Sequence, residues 1–193
     1  MPRPKEFHEE KALDQAMQVF WHRGFEATSI EDLVKGMGIN RQSLYDTFGD
    51  KEALFFQAFD HYQQVAIHQI RSLLNSEGSP LENIRRLFAY IVERNCNDEK
   101  NRGCLLINTA VERATHCPKT AQIVTRAFQA LEDAFYENLK NAKEKGELPP
   151  KKDLRALSRF LVGIMQGLAV SCKVTPDRQR LKEISETALA VLD

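Results

Sequence analysis

The sequence predicts an all-α chain of about nine helices. Apolar residues recur at spacings of three and four along most of its length, and the nine glycines and seven prolines fall mainly between those runs. No run alternates β-branched and polar residues, no Asn-Gly pair marks a hairpin, and no internal repeat is present.

Leu13, Ala16, Met17, Phe20 and Trp21 share one face of a first helix, which Gly24 stops in a left-handed turn. Thr28 or Ser29 caps a short second helix with Ile30, Leu33, Val34 and Met37 facing the core; Gly36 and Gly38 break it. Asn40 caps a third, from about Arg41 to Phe48, and after Gly49 a long fourth starts at the cap Asp50. Ser79-Pro80-Leu81-Glu82 has the form of a capping box with proline at the first helical position, and opens a helix to about Cys96. Polar residues 97–102 form a loop. Gly103 precedes an apolar helix, Cys104 to Ala114, and Pro118 starts another that ends at Gly146. Pro149 to Lys152 is a linker, Asp153 caps a helix to about Lys173, and Thr175-Pro176 opens the last one.

Composition narrows the function. Leu, Ile, Val and Phe make up 51 of 193 residues, above the roughly 20% below which chains stay disordered. The 27 basic and 27 acidic residues balance, which excludes a strongly basic nucleic-acid coat but not a local DNA-binding surface. Charge-free runs such as 160–169 fall short of the roughly 20 apolar residues of a membrane span, and no apolar stretch follows Met1-Pro2-Arg3. A cytoplasmic protein without membrane contact is expected. Cys96, Cys104, Cys117 and Cys172 contain no C-x-x-C and are expected to be free thiols. There is no P-loop, G-x-S-x-G, G-x-G-x-x-G or Glu-x-x-His, so neither an enzyme nor a cofactor or metal site is expected.

The informative segment is 28–51, TSIEDLVKGMGINRQSLYDTFGDK, two short helices flanking a glycine-bearing turn. Ile30, Leu33, Val34, Ile39, Leu44 and Phe48 can close a small core on the first helix. Leu44 and Phe48 are one turn apart, so Arg41, Gln42, Ser43 and Tyr45 point partly or wholly outward. Arg can pair bidentately with guanine and Gln with adenine; a tyrosine ring can meet a thymine methyl or its hydroxyl a phosphate. The competing reading is a solvated face on a helical hairpin. Residues 1–51 hold seven basic and nine acidic residues, a net of −2. Non-specific DNA affinity is therefore expected to be modest, and binding to depend on two linked half-sites. Asp46 on the third helix repels phosphate or accepts from cytosine N4.

Phe20-Trp21-His22-Arg23-Gly24-Phe25, Ala27-Thr28-Ser29-Ile30 through Gly38-Ile39-Asn40, Ser43-Leu44-Tyr45, Phe48 and Lys51-Glu52-Ala53-Leu54 resemble the N-terminal domain of the tetracycline-repressor (TetR) family of bacterial transcription regulators. Arg102-Gly103-Cys104-Leu105-Leu106 with Asn108-Thr109 resembles one branch of it. The resemblance implies a helix-turn-helix DNA-binding domain over 1–50 and a helical effector-binding and dimerisation domain over 51–193. It implies a cytoplasmic repressor that binds a pseudo-palindromic operator in double-stranded DNA as a homodimer and is released by a small-molecule effector acting through the fourth helix. Carried to matching positions, Thr28 or Ser29 contacts phosphate, Arg41, Gln42 and Ser43 face bases, Tyr45 straddles backbone and base, and Lys51 anchors a phosphate. Thr47 stands where the family more often has His. The arm Arg3-Pro4-Lys5 is either a minor-groove contact or a plain tail.

By helix order, Tyr62, Phe88, Ile91, Asn95, Cys104, Asn108, Phe128, Phe135 and Gln166 line an effector pocket or simply fill the core. Phe160, Ile164, Met165, Leu168, Leu181, Ile184, Ala188 and Val191 on the last two helices serve a dimer interface, with Gly163 and Gly167 permitting close approach. Two alternatives stand beside this reading. One is a redox- or metal-responsive regulator using Cys104 and Cys117, with His61/His68 and Glu112/His116 as helical pairs. The other is a helical protein-interaction module without DNA binding.

Overall fold

The computed structural model describes residues 7–193, so the arm Arg3-Pro4-Lys5 lies outside the described residues. Within them the chain is helical throughout: α1 (Glu9–Arg23), α2 (Ile30–Met37), α3 (Arg41–Phe48), α4 (Lys51–Leu74), α5 (Pro80–Cys96), α6 (Leu105–Arg113), α7 (Pro118–Glu144), α8 (Leu154–Val174) and α9 (Arg178–Leu189), then a 3₁₀ turn, Ala190–Leu192. Two compact units divide between Val65 and Ala66, inside α4.

The first unit holds α1 to α3 and the start of α4. Ser29, not Thr28, caps α2, and Asn40 caps α3 as its sequence suggests. Gly38 ends α2 in a left-handed conformation at φ 68°. Gly36 does not break the helix: it lies inside α2, where a side chain would strike Val19 of α1. Its role is close packing. Leu33, Leu44, Phe48 and Phe20 are buried. Phe55 at the start of α4 takes Phe20 and Phe25 edge-on at centroid distances of 5.1 and 5.0 Å. Each ring taken fully from water contributes about 1.5–3 kcal/mol.

The second unit is a helical bundle in which α7 packs on α8, and α5 on α7, α8 and α9. Ile84, Leu87, Phe88, Phe135, Leu139, Leu161, Leu168 and Leu181 are buried. The end of α4 is sealed by two buried asparagines that donate to one carbonyl, Asn83 (3.2 Å) and Asn138 (2.6 Å) to Leu74 O. Ser79 caps α5 by accepting from Glu82 N, while its hydroxyl donates to Glu147. The last helix starts later than Thr175-Pro176 suggests, because Asp177 supplies its cap.

The connection from α5 to α6 is fastened at three points. Asp98 accepts from the Arg102 backbone (2.7 Å) and guanidinium (2.9 Å). Asn108 donates to Arg102 O at 2.9 Å. Gly103, at φ 66°, lies so close to Ala169 of α8 that a Cβ there would stand 2.9 Å from the Ala169 carbonyl oxygen. The Arg102–Thr109 motif is thus a packed loop at Arg102–Cys104 that runs directly into α6.

One composition-based expectation needs correction. By length and composition α8 is apolar enough to cross a membrane. Its apolarity has a local explanation: Leu157, Leu161, Val162, Leu168, Ala169 and Cys172 are buried, and the helix packs on α5, α6, α7 and α9.

Candidate nucleic-acid interface

The turn between α2 and α3 is closed by the Gly38 amide donating to Val34 O and the Ser43 amide donating to the Asn40 side chain at 2.8 Å. These bonds aim α3. Leu44 and Phe48 are buried on one side. Arg41, Gln42, Tyr45 and Asp46 are exposed on the other, Tyr45 at 39%, and Ser43 is half-buried. The exposed side chains pair one turn apart. The Arg41 guanidinium lies 5.8 Å from the Tyr45 ring centroid, and Gln42 Nε2 donates to Asp46 Oδ1 at 2.7 Å. Cationic, amide and aromatic groups on a short helix, pointing away from the core, have chemistry that suits major-groove reading.

The side chains expected to flank α3 as phosphate contacts divide. Lys51, in the first turn of α4, holds its ammonium 4.3 Å from the Phe25 ring centroid. Thr28 does not fit its expected role. It is buried, and its hydroxyl donates to Gly24 O at 2.5 Å, closing the turn after α1. Ser29 is exposed but already engaged: its backbone amide and hydroxyl donate to Asp32, and its oxygen accepts from Asp32 N. The Ser29 hydrogen bonds, with Arg23 and Lys35 nearby, hold the Asp32 carboxyl below its ordinary pKa. The protein's own carboxylate therefore occupies the start of α2, where the resemblance puts a phosphate. The Ser-x-x-Asp spacing was the sequence signal for this box.

The last two helices do not present all of the expected dimer residues. Leu168, Leu181 and Ala188 are buried within the subunit. Ile164, Met165, Ile184 and Val191 are half-buried. Phe160 is exposed, and the stripe it begins runs through the expected Gly163 and Gly167 to Val170 (51% exposed) and Val174 (81%), two residues not read from sequence. A side chain at either glycine would meet nothing within 4 Å. The signal was the spacing of three and four itself, continued past Leu168.

The expected pocket residues are also scattered. Phe88 and Phe135 are fully buried core with ring centroids 6.3 Å apart. Tyr62 belongs to the first unit, where its ring meets Trp21 edge-on at 5.0 Å. Asn108 braces the loop before α6 and accepts from Lys173. Ile91 and Asn95 are buried; Cys104, Phe128 and Gln166 are half-buried. A 750 Å³ groove along α5 and α9 is lined by other residues, among them Arg85, Glu93, Arg178 and Lys182. Among the described residues no three His, Cys, Asp or Glu side chains gather as a metal requires. His61 instead faces Asp14 at 3.8 Å. Cys104 and Cys117 precede α6 and α7 as their caps without a side-chain cap bond.

Comparison with known proteins decides between regulator and interaction module. Residues 12–58 match the profile of bacterial regulatory proteins of the tetR family, and residues 80–188 match that of the tetracyclin repressor-like C-terminal domain. The chain belongs to the TetR family of transcriptional regulators. It is 39% identical to the uncharacterized HTH-type transcriptional regulator YezE of Bacillus subtilis (strain 168) over the full length of both chains. It is 31% identical to the HTH-type transcriptional repressor ComR of Escherichia coli (strain K12), covering 97% of this chain and 90% of that one. Its fold superposes with a TM-score of 0.87 on a cysteine mutant of the TetR family regulator CifR complexed with 26-bp double-strand operator DNA. That pair is 31% identical, and the match covers 99% and 100% of the two chains. TetR family members are DNA-binding transcriptional regulators, not enzymes, and this chain is one of them.

Proposed function

We propose that the protein is a homodimeric repressor whose two α3 helices read the half-sites of a pseudo-palindromic operator, and that a small-molecule effector releases it. One observation carries the reading: Leu44 and Phe48 anchor α3, leaving Arg41, Gln42 and Tyr45 exposed toward base edges. Lys51 and the remaining α2 amides supply phosphate contacts, and Ser29 joins them only by releasing Asp32. With a net of −2 over residues 1–51, one subunit is a poor DNA ligand, so affinity depends on pairing two of them. The stripe Phe160, Gly163, Gly167, Val170 and Val174 supports a second copy docking α8 against α8, the glycines allowing close approach. Ile91, Asn95, Cys104, Phe128 and Gln166 come from α5 to α8, which pack on one another, and are the residues we assign to a mostly apolar effector site. Effector occupancy then acts on α4, which contributes residues to both units.

The test is selection of bound duplexes from a random pool by the purified chain. A two-fold symmetric consensus is expected, with preference lost at one symmetric position in Arg41→Ala. Bound pools without symmetry, or an Arg41→Ala consensus identical to the parent, overturn the assignment of α3 as reader.

A further inference from the structure

An acidic residue on a DNA-reading helix works against the phosphates around it. Asp46 is such a residue, exposed on α3 and one turn from Gln42, whose Nε2 donates to Asp46 Oδ1 at 2.7 Å. We propose that Asp46 is a positioning residue for base reading: it fixes the Gln42 carboxamide so that Gln42 selects adenine over guanine. The proposal rests on the operator-reading role of α3 given above.

The chemistry follows from the two ends of the carboxamide. Its oxygen only accepts and its nitrogen only donates. A free glutamine exchanges these ends by half a turn about its last torsion. It can then offer a donor and an acceptor to adenine N7 and N6, or its amino group to guanine N7 and O6. A carboxylate only accepts, so the Asp46 contact forces the nitrogen toward Asp46 and the oxygen away. The hydrogen trans to Gln42 Oε1 goes to Asp46 in a charge-assisted bond. The oxygen and the remaining N–H then form the outward edge, a single donor–acceptor pair that complements adenine and leaves guanine O6 facing another acceptor.

Gln–carboxylate pairs one turn apart also occur at Gln64–Asp60, Gln129–Asp133 and Gln179–Glu183. Those are ordinary surface contacts on other helices. The α3 pair is set apart by its place beside the Arg41–Tyr45 pair, on the side of the helix opposite Leu44 and Phe48.

Duplex selection with the full-length wild type, Gln42→Ala, Asp46→Ala and Asp46→Asn tests it, together with titrations on non-operator DNA and thermal melts. Wild type should prefer adenine over guanine roughly tenfold or more at one symmetric position, and Gln42→Ala should lose that preference. Asp46→Ala should reduce it to about threefold or less at the same position while binding non-operator DNA more tightly, with the rest of the consensus and the melting temperature unchanged. Asp46→Asn keeps the shape but offers a donor as well as an acceptor, so it no longer dictates which end of the Gln42 carboxamide faces it. It should weaken the adenine preference much as Asp46→Ala does, while sharing the tighter non-operator binding. An unchanged preference in Asp46→Ala means Asp46 only repels backbone, and overturns the proposal. So does loss of a cytosine preference at a position that Gln42→Ala leaves intact, or an Asp46→Asn protein that keeps the full wild-type adenine preference. A wild type without any symmetric consensus overturns the operator reading itself, an outcome distinct from a clear consensus that Asp46 does not affect.

Discussion

Val19 of α1 fills the space where a side chain on Gly36 of α2 would stand. The two helices therefore meet backbone to side chain beside the turn that aims α3. Gly36→Ala gains up to about 1 kcal/mol in helix propensity, but the β-branched Val19 cannot swing its methyl aside. A net loss of about 1–3 kcal/mol is expected, measured as a lowered urea midpoint. Adding Val19→Ala should return part of it, and the double-mutant cycle should show coupling between the positions.

Thr28 and Lys51 separate structure from DNA contact. Thr28→Val keeps the shape and removes the hydroxyl that reaches Gly24 O. It should cost about 1 kcal/mol of stability and leave the salt dependence of operator binding unchanged. Lys51→Ala should weaken binding to all sequences alike and lower the slope of log affinity against log salt by about one. Binding titrations at several salt concentrations check both.

Gly167→Arg tests the exposed face of α8. Nothing lies within 4 Å of a Cβ there, so far-UV circular dichroism should match the parent. Sedimentation should show a monomer, and operator affinity should fall with dimerisation. Leu168→Ala, one residue on but buried, should cost about 2–5 kcal/mol of stability instead.

Burial alone raises the pKa of Asp98, but the Arg102 hydrogen bonds and charge outweigh it and hold the carboxyl below its ordinary value. A carboxyl lowered by folding contributes stability above its unfolded pKa, about 3.9, and that contribution is lost as the pH falls through the folded value. Asp98→Asn should therefore cost roughly 1–2 kcal/mol at neutral pH and flatten this part of the acid-induced loss. Urea midpoints from neutral pH downward test the sign.

Burial pushes the Cys172 thiol up to about 11. In the native protein at mildly alkaline pH, timed alkylation should modify half-exposed Cys104 and Cys117 first and leave Cys172 to react after denaturation. Equal rates at all three would contradict the burial.

Helix ends were legible because caps are local chemistry. Asn40, Asp50, Ser79 and Asp153 all accept from the amides their positions predict. Gly36 was misread because a glycine chosen for close packing has the same letter as one chosen for a turn. The outward set Arg41, Gln42 and Tyr45 was readable from the burial of Leu44 and Phe48 one turn apart. Thr28 and Ser29 were not, since both are residue types that contact phosphate or satisfy a neighbouring turn, and only the folded chain shows which partner they took. The residues expected at an effector pocket were least legible: Phe88 and Phe135 share their apolar spacing with every core position, and periodicity does not say which side of a helix meets a cavity. Leu181 and Ala188 failed as interface residues for the same reason.

A single main-chain oxygen, that of Leu74, joins three helices, because Asn83 of α5 and Asn138 of α7 both donate to it. Screwing α4 forward by one residue carries that oxygen about 1.5 Å along the axis and about 100° around it, which breaks both bonds together. The two asparagines therefore favour one register of the carboxyl end of α4 against its neighbours, since any other gives up both bonds at once.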